Sequence, residues 1–276
     1  MAAPIGLIAG EGRLPVLVAQ GMRRDGHSVM CVAFRGHAHA ELRDCCDHYA
    51  QVSLYRPGGW IRRLRRWGAS DAVMIGRVDK TRMHDPFRVV RDIPDWRAIR
   101  LWYRRLRHDR GDAAVLAAVA DELALGGVRL IDSTTHLQEH LATQGVMGDA
   151  SPSSTQLADI TQGWPVLQQV TSLGVGQCMA IREGDIIAVE AVEGTDRMID
   201  RAGELCRAKG WTLLKTASDN HDRRADVPTI GPDTIARLRT AGCGCLAIGA
   251  NRVLLADRPA VIAAADAAGI AVVGIA

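Results

Sequence analysis

Short apolar runs of strand length alternate with amphipathic stretches of helix length through the first half of the chain, and this limits its fold more than any other feature. Residues 5–9 form an apolar strand, and Gly10-Glu-Gly12 turns it into a helix over 14–25. Further strands are predicted at 28–34, 50–54, 71–75 and 128–131, and helices at 60–67, 95–108 and 112–125. Strands separated by helices argue for a parallel sheet with helices on its faces. The N-terminal part is therefore read as an α/β domain with a Rossmann-like parallel sheet.

The second half reads as a mixed α/β domain. Residues 177–182 and 186–192 flank Glu183-Gly-Asp185 as a β-hairpin. Thr195 is placed as the N-cap of a helix over 197–209. A strand follows at 211–216 and a helix core at 234–241. Short strands at 246–248 and 253–256 come next, with a hairpin around Ala250-Asn251 as one way to join them. A helix over 259–268 opens on Pro259, and 270–275 is a closing strand. Residues 145–154 are rich in Gly, Ser and Pro and show no periodicity, so they are read as a linker. It separates an N-terminal domain, 1–144, from a C-terminal catalytic domain, 155–276.

Composition narrows the class. The chain has 276 residues, 47% of them hydrophobic, which supports a sizeable core and argues against disorder. No run approaches the roughly 20 apolar residues of a membrane helix, and the start lacks the basic region of a secretory signal. A cytoplasmic protein is expected. The seven cysteines show no zinc spacing and read as small core residues in a reducing compartment. His136-x3-His140 has a helical metal-binding spacing, but no HExxH glutamate or third ligand accompanies it.

Charge is uneven. Residues 51–110 hold sixteen Arg or Lys against six acids, an excess of ten positive charges. Such a patch attracts nucleic acid, anionic lipid or a polyanionic substrate. No nucleic-acid module is recognised, so nucleic acid is not expected as a partner. Trp60, Ile61, Leu64 and Trp67 form one stripe opposite Arg62, Arg63, Arg65 and Arg66. Trp96, Ile99, Tyr103 and Leu106 form another opposite Arg97, Arg104, Arg105 and Arg107. Both suit either an anionic membrane surface or ordinary packing on a sheet with solvated basic faces.

The densest chemistry lies at 213–231. A strand-like start runs into Asp219, Asp222 and Asp226, with Lys215, His221, Arg223 and Arg224 among them, before Pro228 and Gly231. Carboxylates and cations in this density suit a phosphorylated, metal-bound substrate, although a solvated charged loop has the same composition. Glu190 interrupts an apolar strand between Val189 and Ala191, while Glu193 and Asp196 flank the turn Gly194-Thr195. The Gly10-x-Gly12 turn offers backbone N–H groups to an anion. Pro15 stands in place of the third glycine of a dinucleotide fingerprint, and Arg35 stands where a ribose would need an acid.

Arg224-Ala-Asp-Val-Pro-Thr-Ile-Gly231 resembles the R-x-D-[LV]-P-T-I-G signature of UDP-2,3-diacylglucosamine diphosphatases of the LpxI type. Gly6-Leu-Ile-Ala-Gly-Glu-Gly-Arg-Leu-Pro15, Gly111-Asp112, Gly176-Gln177 and Ala188-Val-Glu-Ala-Val-Glu-Gly-Thr-Asp196 match in the same order, so the resemblance covers nearly the whole chain. It implies hydrolysis of the substrate's pyrophosphate to lipid X (2,3-diacylglucosamine 1-phosphate) and UMP in lipid A biosynthesis, with Mg²⁺ or Mn²⁺. The expected catalytic residues are Asp226, Asp222, Lys215 and Arg224. Gly10, Gly12, Gly76, Lys80, Gln177, Glu190, Glu193, Gly194, Thr195, Asp196 and Thr229 are expected to bind substrate. Asp226, Asp222 and Glu190 are the expected metal ligands. The expected site is an inter-domain cleft, and the expected partners are the glycolipid, the inner face of the inner membrane as a peripheral surface, and a second copy in a homodimer.

The chain departs from the pattern in two places. Ser218-Asp-Asn-His-Asp222 replaces the usual K-P-G-Q-D, and Gly174-Val-Gly-Gln177 replaces D-I-G-Q. A diverged, non-catalytic UDP-sugar or lipid binder therefore stays open beside the enzyme, as does a nucleotide-binding oxidoreductase.

Overall fold

The computed structural model describes residues 2–36, 39–78, 93–107, 112–219, 221–224 and 227–276, with the backbone alone at 112 and 113. The chain divides into two compact units, one of Met1–Leu137 with Asp222–Asp226 and one of Gln138–His221 with Val227–Ala276.

The first unit runs β1 (Ile5–Ala9), α1 (Leu14–Arg24), β2 (Val29–Phe34), β3 (His48–Val52), α2 (Pro57–Arg66), β4 (Asp71–Ile75), α3 (Trp96–Leu101), α4 (Asp112–Leu125) and β5 (Arg129–Leu130). A single π-helical stretch, Trp102–Leu106, continues α3. The sheet has the order β3-β2-β1-β4-β5 and every pairing in it is parallel. This order reverses direction between β1 and β4, as in doubly wound sheets. Every residue of β1 and β2 is buried, the pattern of a strand covered on both faces. Trp60, Ile61 and Leu64 of α2 pack into the core with Ile8, Val32 and Leu123, so this apolar stripe is ordinary sheet packing. The third strand begins two residues earlier than the sequence suggests, at His48.

The second unit runs β6 (Gly145–Val146), α5 (Ser154–Ser172), β7 (Cys178–Arg182), β8 (Asp185–Val189), α6 (Thr195–Leu205), β9 (Trp211–Lys215), β10 (Thr229–Ile230), α7 (Pro232–Ala241), β11 (Cys243–Gly249), β12 (Leu254–Leu255), α8 (Arg258–Ala268) and β13 (Ala271–Ile275). Its six-stranded sheet has the order β6-β13-β11-β9-β7-β8. β9, β11 and β13 are parallel neighbours, whereas β6, β7 and β8 pair antiparallel. The expected hairpin β7–β8 is present, and one core cluster lies on each side of the sheet, around Trp211 and Leu213 and around Leu167 and Leu214.

Two local expectations fail for physical reasons, and one helix has no counterpart in the sequence reading. The hairpin around Ala250-Asn251 does not form: β11 already has β9 and β13 on its two edges, and β12 instead pairs parallel with β10 in a separate two-stranded sheet. Residues 145–154 are not structureless, because Gly145–Val146 joins the sheet against β13 and Ser153 caps α5 in a capping box with Gln156. Their Gly, Ser and Pro content is turn and cap chemistry. The helix α5 itself escapes a sequence reading because Pro165 sits inside it, on its exposed side.

The seven cysteines are free. Burial pushes the Cys178 and Cys245 thiols up to about 12, so neither is a nucleophile near neutrality. Among the described residues no helix is long and apolar enough to cross a membrane.

Candidate active site

The second unit gathers four of the expected residues at one end of its sheet. β7 begins, β8 ends and β9 ends at the same place, with Cys178 opposite Lys215 and Met179 opposite Val189. The ladder continues one residue further: the Glu190 N–H donates to the Cys178 carbonyl at 2.9 Å, and the Thr216 N–H to that of Gln177 at 3.0 Å. Gln177 donates its own N–H to Glu190 Oε2 at 3.1 Å. Thr195 Oγ1 donates to Glu190 Oε1 at 2.8 Å and accepts from Lys215 Nζ at 2.8 Å.

Thr195 therefore is not the helix cap expected from sequence. Gly194, at φ 81°, holds the N-cap position and Thr195 is the first residue of α6. Its hydroxyl relays between a carboxylate and an ammonium, two stronger partners than a backbone N–H. α6 also ends at Leu205, short of the expected Lys209.

Lys215 is 4% exposed, and among the described residues its ammonium has a single hydrogen-bond partner and no ion pair. An ammonium carries three donors, and burying it without a counter-charge is costly. The arrangement is suited to an anion that takes the remaining donors.

Gly176 shows how tightly the cluster is built. A Cβ there would lie 2.1 Å from the Glu190 carbonyl oxygen, a backbone atom with little room to yield. Gly176→Ala should therefore displace Glu190 and destabilise the protein by about 1–3 kcal/mol, the scale of overpacking. A urea titration showing an unchanged midpoint would refute this account of the glycine.

Other residues expected at the site have partners elsewhere. Glu193 pairs with Arg201 at 2.5 Å; its own backbone N–H and that guanidinium hold its carboxyl below the ordinary value. Asp196 lies 3.9 Å from Arg237, and Thr229 donates its hydroxyl to the Val227 carbonyl at 2.9 Å. At the departures from the family string, Asp219 pairs with Arg252.

In the first unit, the expected residues lie along the edge where the parallel strands end. Gly10 and Gly76 meet back to back: a Cβ on Gly10 would lie 2.8 Å from the Gly76 carbonyl carbon, and Gly76 itself is at φ 106°. The Gly10 N–H donates to Ile75 and the Glu11 N–H to Arg77, so these two amides are spent on the chain rather than left for an anion. Gly12, at φ 102°, has open space around it.

Further along this edge, Ser133 anchors the strap that carries Asp222 and Arg224. The Ser133 N–H donates to the Arg223 carbonyl at 2.9 Å, and its Oγ lies 3.0 Å from the Met74 carbonyl and 3.1 Å from that of Arg224. Asp222 accepts from the Arg224 N–H at 3.0 Å and from its guanidinium, Nη2 to Oδ2 being 2.6 Å. Lys80 and Asp226 lie outside the described residues.

The carboxylates suit a metal unequally. Glu190 spends one lone pair on each oxygen and keeps acceptor capacity. Asp222 gives both oxygens to Arg224 and fits poorly as a ligand in this arrangement. Among the described residues no three His, Cys, Asp or Glu side chains gather as a metal site. This also applies to His136, whose Nδ1 lies 2.6 Å from Asp25 Oδ2.

Sequence reading missed Ser133, which carries no motif. Its only signal is its position just after a strand, at the edge where doubly wound sheets place their functional loops.

Solved structures align weakly with the chain. The biotin carboxylase subunit of pyruvate carboxylase matches at 11% identity over 75% of this chain and 42% of its own, with a TM-score of 0.28. N5-carboxyaminoimidazole synthetase from Staphylococcus aureus matches at 14% identity over 82% and 56%, with a TM-score of 0.24. The chain spans less than two thirds of either, and at such scores the likeness carries no argument. By contrast, UDP-2,3-diacylglucosamine pyrophosphatase LpxI of Caulobacter vibrioides is 32% identical over 281 residues, 98% of this chain and 97% of the relative. The LpxI N-terminal domain family matches residues 4–140 and the LpxI C-terminal domain family residues 143–273. With a relative of that identity over almost its full length and both domain families matched in order, the chain belongs to the LpxI family.

Proposed function

We propose that this chain hydrolyses the pyrophosphate of UDP-2,3-diacylglucosamine to lipid X and UMP in lipid A biosynthesis. Family membership supports the reaction, and one observation carries it onto this chain's residues: the buried Lys215 ammonium at a shared strand end, with donors that no described residue uses. Attack of water on phosphorus builds negative charge on oxygens, and a fixed cation in a water-poor setting stabilises that charge more strongly than one in water. Thr195 and Glu190 hold Lys215 in position, and Arg224 on its strap is the second proposed cation. Asp226 is proposed to orient the attacking water or hold the metal.

Mg²⁺ or Mn²⁺ is proposed as the cofactor, with Asp226, Asp222 and Glu190 as its carboxylates, which have the hard oxygen donors these ions take. When bound it would neutralise developing phosphate charge. Asp222 would have to release Arg224 to serve. A homodimer and a peripheral position on the inner membrane belong to the same reading.

The test is to incubate the purified chain with UDP-2,3-diacylglucosamine and Mg²⁺ or Mn²⁺ and to follow UMP. UMP should be released, lost on adding EDTA, and restored by excess metal. Binding of the substrate without UMP would assign the chain as a non-catalytic binder. UMP release that survives EDTA would remove the metal from the proposal.

A further inference from the structure

α3 and its π-helical continuation expose large aromatic side chains among exposed arginines, Arg104, Arg105 and Arg107. Two arginines of α3 reach a buried carboxylate: Arg97 Nη1 lies 2.5 Å from Glu122 Oε1, and Arg100 Nη2 lies 2.9 Å from each Glu122 oxygen. The Glu122 side chain, on α4, is 5% exposed. The aromatic residues face outward: Trp96 is 75% exposed, Trp102 49% and Tyr103 65%, and Ile93 and Ile99 are exposed beside them, while Leu101 and Leu106 are half-buried. Large apolar side chains exposed together mark an interaction surface.

A basic cavity opens at the foot of this helix. It has a volume of about 440 Å³ and is lined by Arg35, Arg56, Arg62 and Arg63, with Ile93 and Asp95 from the segment that leads into α3. Asp95 offsets only one of the four positive charges, and its oxygens accept from the Gly58 N–H at 2.8 Å and the Ala98 N–H at 2.9 Å. Among the described residues none of the four arginines has an ion pair; Arg56 and Arg63 donate to the Ile93 and Gly59 carbonyls.

We propose that this face docks on an anionic lipid bilayer, with the arginine cavity holding a lipid phosphate and the α3 aromatics lying at head-group depth. Guanidinium groups hold phosphate oxygens with paired N–H donors, and aromatic side chains settle at the membrane interface. Charge selects this occupant. A second copy of the chain would set the four cavity arginines against their own kind, whereas a bilayer rich in anionic lipid complements them. The inference deepens the proposed function, since a diacylated substrate resides in a bilayer, but it rests on different residues.

The full chain should co-sediment with phosphatidylglycerol vesicles at low salt and not with pure phosphatidylcholine vesicles. Salt should release it, since the attraction is screened. Arg62→Gln with Arg63→Gln should weaken the partition roughly 30-fold, the equivalent of about 1 kcal/mol per arginine. Trp96→Ser with Trp102→Ser should weaken it while leaving the salt dependence in place. Unchanged circular dichroism and thermal midpoint in both variants would exclude unfolding.

Failure of the wild type to bind phosphatidylglycerol vesicles at low salt overturns the proposal, as does full binding by both variants. A concentration-dependent dimer that shields Trp96 from a soluble quencher would assign the face to self-association instead. UMP release from detergent-dispersed substrate, measured alongside, separates the two readings. Release without vesicle binding defeats the docking surface alone, and vesicle binding without release defeats the hydrolase.

Discussion

Asp226→Asn should abolish turnover, by roughly a thousandfold or more, or about 4 kcal/mol in the barrier, while substrate still binds. Asp226 is the aspartate of the R-x-D-x-P-T-I-G string, two residues beyond Arg224. The strap that leads to it is held to the first unit by Ser133, whose N–H and hydroxyl both reach carbonyls of Arg223 and Arg224. A carboxylate that orients water or holds a metal acts through its charge. Asparagine keeps the size and one acceptor oxygen but removes the charge, so binding through the rest of the site should persist. Single-turnover UMP release would measure the chemistry and calorimetry the binding. Turnover within tenfold of wild type would take Asp226 out of the reaction. Lost binding with a preserved thermal midpoint would make it a substrate-binding group instead.

Much of the architecture is legible in the sequence because strands buried on both faces leave continuous apolar runs. Ile5–Ala9 and Val29–Phe34 are of this kind. The second-unit errors come from tertiary context. Leu254–Leu255 has the composition of a hairpin strand, but the edges of β11 are taken by strands distant in sequence. Thr195 sits where a cap belongs, yet its hydroxyl is captured by Glu190 and Lys215, from two other strand ends.

The same holds for the basic helices. Periodicity finds an apolar stripe on both α2 and α3, and the two fates differ. The α2 stripe meets the sheet and is buried. The α3 stripe faces away because Glu122, buried on α4, draws Arg97 and Arg100 inward. Nothing local to residues 96–106 records the position of that glutamate. The candidate site was legible as residue types, since Gln177, Glu190, Thr195 and Lys215 do meet, but the order of their hydrogen bonds was not.

Lys215→Ala should lower kcat/KM by about 1.5–3 kcal/mol, roughly 10- to 150-fold, the scale of a charge-assisted hydrogen bond to phosphate. A structural role makes a different forecast. If Lys215 only balanced the Glu190 charge through Thr195, Lys215→Met would strand a partly buried carboxylate and lower stability, and Glu190→Gln would restore it. If Lys215 serves the substrate, Lys215→Met with Glu190→Gln should recover the thermal midpoint but fall well below Glu190→Gln alone in activity. The geometry favours the second outcome: among the described residues Lys215 Nζ has only the Thr195 hydroxyl as a hydrogen-bond partner, so none of them uses the rest of its donor capacity. Lys215→Arg should rescue poorly, because a planar fork cannot occupy a position shaped around a compact ammonium with strand neighbours on both sides. Kinetics of these five variants, read beside their urea midpoints, decide the matter. Unchanged kcat/KM in Lys215→Ala would remove the lysine from the site and leave it a buried structural cation.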